Sequence, residues 1–170
     1  MIWFGAILLV GTTTLVGFDI SNRLNQRPKH IRQLKNALQI LEAEIVYSQL
    51  PLKEAFKMIA TQIPKPTKTF FAALSQELDR PAVHFPALWD EGVRQFQNES
   101  CLSENEREIL LQFGQTLGQH DFEQQQKHIH LAITHLEREL EEARDHQYKY
   151  AKLAKSLGVL SGLFIVLLLI

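Results

Sequence analysis

The chain holds one cysteine, Cys101, among 170 residues, and no Lys, Arg, Asp or Glu in its first 18 or last 15. A lone cysteine excludes an internal disulfide framework and any paired-cysteine zinc site, and it fits a reducing compartment. No long period-2 alternation and no Asn-Gly or Asp-Gly dipeptide occurs, which removes the usual hairpin signals. Net charge is nearly absent too, at −1, so a dedicated nucleic-acid binder is a poor fit. From residue 122 to residue 155 there is neither proline nor glycine. What is present is arranged in three parts: an apolar start, a charged middle of about 135 residues and an apolar end. The middle keeps regular apolar positions, which excludes intrinsic disorder, and it is long enough for one helical core.

Residues 2–18, IWFGAILLVGTTTLVGF, are uncharged. As a helix they extend roughly 25 Å, close to the lower limit for crossing a bilayer. The rival, a signal peptide, lacks its basic n-region and a clear A-x-A-like cleavage site, so a retained span is the expectation. Residues 156–170, SLGVLSGLFIVLLLI, give about 22 Å, with Lys152 and Lys155 placed to snorkel. Small residues at Thr13 and Gly17, and at Gly158 and Gly162, offer close helix packing within lipid. Arg23, Arg27, Lys29, Arg32 and Lys35 follow the first stretch with no acid among them. The positive-inside rule then places residues 21–155 in the cytoplasm, between transmembrane helices at 1–20 and 156–170.

The middle reads as all-α, so the expected fold is a membrane-anchored bundle of about six helices. Arg27-Pro28 marks a helix start, and Ile31, Leu34, Leu38, Leu41 and Ile45 recur at spacings of three and four. Pro51 suits the first turn of a second helix with Leu52, Ala55, Phe56 and Ile59 inward. Thr67 is placed to cap a third, bearing Phe70, Phe71, Leu74 and Leu78. Pro81 and Pro86 bound a connection before Leu88, Trp89, Val93 and Phe96. Ser103 and Glu106 have capping-box spacing. Gly118 ends or bends the next helix, and Asp121 starts the last and longest. In that helix Phe122, Ile129, Leu136, Ala143 and Tyr150 recur at sevens, a coiled-coil-like seam. Charge is split along the middle: ten bases and five acids over 20–80, then eight bases and thirteen acids over 81–155. Partners would therefore meet two different electrostatic faces.

Signals for catalysis are missing, and no enzyme is expected. His128 and His130 point to different faces of a helix, with no HExxH or CxxC nearby, so no metal or other cofactor is expected. Gly114 and Gly118 in FGQTLG lack the Lys-Ser/Thr of a phosphate loop. Cys101 carries no nucleophile signature. Glu42 and Glu44, two apart, do not form a carboxylate pair on one helical face.

Two blocks carry a family likeness. RPKHIRQLKNALQILEAEIVYSQLPLKEAF (27–56) and the stretch 109–170, opening ILLQFGQTLGQHDFEQQQKHIH, resemble the stage III sporulation protein AB family, as do the chain's length and layout. The resemblance implies a membrane protein of the sporulating mother cell, in the membrane around the forespore. It implies a cytoplasmic domain like those of type II secretion and type IV pilus platform proteins. The implied role is to couple a secretion-type ATPase, similar to stage III sporulation protein AA, to the other membrane components of the channel. A homo-oligomer is compatible with it, and no nucleic acid is involved. By match to the family, the partner-binding candidates are Glu42, Glu44, Tyr47, Gly114, Gly118, Asp121, Gln125 and His128. The alternatives are a non-transport scaffold or signalling adaptor that localises a cytoplasmic partner and, more remotely, a membrane enzyme with an unusual site.

Overall fold

The structure is a computed structural model. It describes residues 2–81, 83–118 and 122–169, with side chains described throughout 21–150 apart from 82 and 119–122, and at scattered positions in the two ends. The described residues form helices joined by short turns, with no strand among them. Helix α1 runs Ile2–Glu42 and ends in a π-helical turn, Ala43–Tyr47. Then come α2 (Leu52–Gln62), α3 (Thr67–Glu77), α4 (Phe85–Glu99), α5 (Glu104–Thr116) and α6 (Phe122–Leu169).

The chain divides into two compact units, residues 29–141 and residues 1–28 with 142–170. In the first, α1 supplies Ile31, Leu34, Leu38 and Leu41, all fully buried, as the apolar spacing requires. From α6 come Ile129, Ile133, Leu136 and Leu140. The two helices are tied by Lys35 Nζ on Glu137 Oε1 at 2.8 Å and by Gln126 Nε2 donating to Glu42 Oε1 at 3.2 Å. Helices α2 to α5 pack in chain order and enclose Trp89, whose ring lies 5.3 Å from Phe70, 5.6 Å from Phe113 and 6.1 Å from Phe56. Its buried indole N–H donates to the Leu110 carbonyl at 2.7 Å, satisfying the polar atom of the largest core side chain.

In the second unit, Gln147 Nε2 donates to Asn25 Oδ1 at 3.0 Å and ties the two helical stretches. Ser21 is fully buried there, and its Oγ finds no hydrogen-bond partner among the described residues. Among the described residues no helix is long and apolar enough to cross a membrane. Residues 2–18 and 156–170 lie within α1 and α6, but most of their side chains, including Thr13, Gly17, Gly158 and Gly162, fall outside the described residues.

Four expectations need correction. Tyr150, placed on the α6 seam by its spacing of seven, is 50% exposed. Pro28 does not start a helix; α1 passes through it. Proline removes one intrahelical hydrogen bond, and the cost is tolerated here at a buried position where the two units divide. Thr67 does not cap α3. Pro66 holds the cap position, and the buried Thr67 hydroxyl instead donates to Gln33 Oε1 on α1 at 3.2 Å. Pro86 lies inside the first turn of α4 rather than bounding a connection, at a site where a missing N–H costs nothing. The capping box at Ser103 and Glu106 is present. Gly118 ends α5 rather than bending it: with φ +79° it takes the left-handed conformation common just past a helix end.

Candidate partner-binding surface

The α1 stripe stays in α-helical register through Leu41, and then the hydrogen-bonding changes. The Ser48 N–H reaches back five residues to the Ala43 carbonyl at 3.2 Å, and the Leu50 N–H donates to the Glu44 carbonyl at 3.0 Å. Gln49 takes φ +52°, a left-handed conformation that costs a non-glycine residue about 1–2 kcal/mol. π turns of this kind cluster at functional sites. This one sets Tyr47 outward, 77% exposed, with Glu44, three residues earlier, half-buried. Glu42, one residue before the π turn, is half-buried and receives the Gln126 amide. It also lines a shallow depression with Glu123, Lys127, His130 and Leu131 of α6. Leu131 is 53% exposed, a large apolar side chain beside acidic and amide groups.

The remaining candidates separate. Gln125 is buried on the inner side of α6. His128 is half-buried and lines a neighbouring groove with Phe113, Thr116, Leu131 and His135. Gly114 is buried. A Cβ built on it would fall 2.1 Å from Trp89 Cδ1, so close packing accounts for this glycine. The positive φ of Gly118 accounts for the other. Asp121 lies outside the described residues. The structure thus brings Glu42 to the start of α6, sets Tyr47 and Glu44 on the adjoining π turn, and puts Gly114 in the interior.

Several polar contacts had no signal in the sequence. Gln126 meets Glu42 across 84 residues, and the Cys101 backbone N–H donates to His30 Nδ1 at 3.0 Å across 71. Burial, helped by the charge of Lys29, lowers the His30 pKa, which keeps the ring neutral and its Nδ1 able to accept. The hydrogen bond from Lys35 holds the Glu137 carboxyl below its ordinary range. Glu139, nearly fully buried, accepts from Asn105 Nδ2 at 3.2 Å. No group of three or more His, Cys, Asp or Glu side chains arranged for a metal occurs among the described residues.

These features define a small helical-bundle protein whose two longest helices extend into charge-free ends. A family model, Stage III sporulation protein AB, matches residues 2–170. Stage III sporulation protein AB of Bacillus subtilis (strain 168) is 44% identical over 165 residues, 97% of this chain and 96% of the relative. A solved structure titled Stage III sporulation protein AB is similar at a TM-score of 0.68 and 44% identity, covering 73% of this chain and 98% of that one. The chain belongs to the stage III sporulation protein AB family, which implies a role in sporulation. That is a family of sporulation proteins rather than of enzymes.

Proposed function

We propose that this protein is a membrane platform of the channel between mother cell and forespore, coupling a cytoplasmic secretion-type ATPase to the membrane complex. The observation that carries the reading is a continuity. Helices α1 and α6, which supply the aliphatic core of the bundle, are the same helices that contain both charge-free ends. A bundle built on its own anchors suits a protein that transmits contact to a membrane assembly. In this reading residues 2–18 and 156–170 are the spans, and residues 21–155 face the cytoplasm next to the basic run Arg23–Lys35. Thr13, Gly17, Gly158 and Gly162 serve helix packing in the bilayer. Glu42, Glu44 and Tyr47 form the surface offered to the ATPase, which resembles stage III sporulation protein AA.

The test is co-purification of the full-length chain with that ATPase, repeated with Tyr47→Ala and Glu44→Lys together. Retention by the native chain and loss by the double variant is the expected result. No retention of the ATPase by a chain that still fractionates with membranes would overturn coupling and favour a scaffold. A reporter fused after Ile170 should register outside the cytoplasm; a cytoplasmic signal would overturn the two-span topology.

A further inference from the structure

We propose that the groove between α3 and α4 receives a helical segment of another protein in which Lys or Arg side chains flank a Leu- or Phe-sized apolar residue. Gly92 lies inside α4. A glycine within a helix is less favourable than alanine, and no left-handed φ requires this one. Its missing side chain is explained by closeness: a Cβ there would lie 3.1 Å from Phe70 Cε2 and 3.3 Å from Leu74 Cδ2. The two helices therefore approach over Gly92 and leave a depression of about 260 Å³ beside it. Its floor is apolar, formed by Phe70, Leu74 and Phe96, with the two rings stacked at 5.0 Å.

The walls carry one sign of charge. Glu77 stands on the α3 side, Glu91 and Glu99 on the α4 side, and among the described residues no Lys, Arg or His lines the groove. Arg80 pairs with Glu77 at 2.6 Å and Arg94 with Glu91 at 3.4 Å. Both are local pairs with largely exposed arginines, where solvent screens most of the attraction, so an incoming cation can replace them. Glu99 accepts from the Gln95 amide at 3.4 Å. Glu91, Gln95 and Glu99 fall at steps of four and so form a row about 12 Å long. An occupant whose cations lie two helical turns apart matches that row.

The size fits a side-chain anchor better than a metabolite, since small-molecule pockets usually hold about 300–1,000 Å³. An amphipathic helix laid in a groove is the recognition mode with this geometry. The chain's own basic stretch is a poor occupant, because its apolar residues Ile31 and Leu34 are already spent in the core. The groove is built from residues other than Glu42, Glu44 and Tyr47, so its role does not rest on ATPase coupling.

The experiment uses the full-length chain in detergent and a fluorescein-labelled synthetic helix with two leucines on one face flanked by lysines. A twin peptide carries glutamates in place of the lysines. Protein variants are the triple Glu77→Gln, Glu91→Gln, Glu99→Gln, and Ala73→Trp, which fills the groove from its exposed wall. Micelle binding by the peptide is common to all proteins and cancels in the comparison. The lysine peptide should bind the native chain at least tenfold more tightly than it binds the triple variant, and tenfold more tightly than the glutamate peptide does. Ala73→Trp should abolish the difference. Equal affinity for the native chain and both variants would overturn the proposal. So would self-association of the native chain that the triple variant abolishes, since the occupant would then be a second copy.

Discussion

The aliphatic seam of α1 and α6 and the aromatic cluster around Trp89 both lie within residues 29–141, yet they are held by different rules. In the seam, Ile31, Leu34, Leu38, Leu41, Ile129 and Leu136 repeat one kind of contact along two helices. Each side chain can be exchanged for another of similar volume at small cost. The cluster has one solution. Trp89 meets Phe70 and Phe113 edge-on, its N–H is committed to the Leu110 carbonyl, and its ring occupies the space where Gly114 lacks a Cβ. Burial alone specifies the first region; shape and one hydrogen bond specify the second.

The strongest way to break this comparison is truncation. Trp89→Ala should cost about 3–5 kcal/mol and Leu38→Ala about 2–5 kcal/mol, read from denaturant unfolding of the full chain by circular dichroism. A smaller loss at Trp89 than at Leu38 would remove the distinction. Overpacking sharpens it. Gly114→Ala should cost about 1–3 kcal/mol or more, whereas Leu38→Met in the seam should cost under about 1.5 kcal/mol. In a Trp89→Leu background, Gly114→Ala should add less than about 0.5 kcal/mol, because the clash is with the indole. Full additivity would mean that something other than Trp89 excludes a side chain there. Next in size is the capping box: Ser103→Ala should cost about 1 kcal/mol without disturbing either region.

The smallest effect is one of pH. His30 has a lowered pKa in the fold, so the unfolded chain binds protons more readily than the folded chain. Its contribution to stability is complete above the ordinary histidine value of about 6.5 and is lost as pH falls below it. The melting temperature should fall between pH 7.5 and 5.5, and His30→Asn, which keeps an acceptor for Cys101, should flatten that fall. An unchanged slope would assign the pH dependence to other groups.

The same division explains what could be read from residues alone. The α1 stripe and the α6 seam obey helical periodicity, so Ile31 through Ile45 and Ile129 through Leu140 were legible as core. Phe70 and Phe71 are adjacent and both buried, a pattern no single helical face predicts, because neighbours on two sides enclose α3. The reason for Gly114 is a tryptophan 25 positions earlier. Pro28 and Thr67 carried correct local signals, overruled by helix continuity in one case and by a hydrogen bond to Gln33 in the other. At the candidate surface, Glu42, Glu44 and Tyr47 stand out in the sequence through family likeness alone. The π turn that sets Tyr47 outward left no trace in the 3.6-residue pattern, and the Gln126 contact to Glu42 depends on tertiary packing.

The π turn also bears on length. Its hydrogen bond spans five residues where an α turn spans four, so the chain carries one residue there beyond what an α-helix would need. Deleting Ala43 should let the segment close as ordinary α-helix. The stripe through Leu41 would stay in place, while Glu44 and Tyr47 would turn by about 100° around the helix axis. One codon at this point can therefore re-aim a contact surface while every side chain on it keeps its identity.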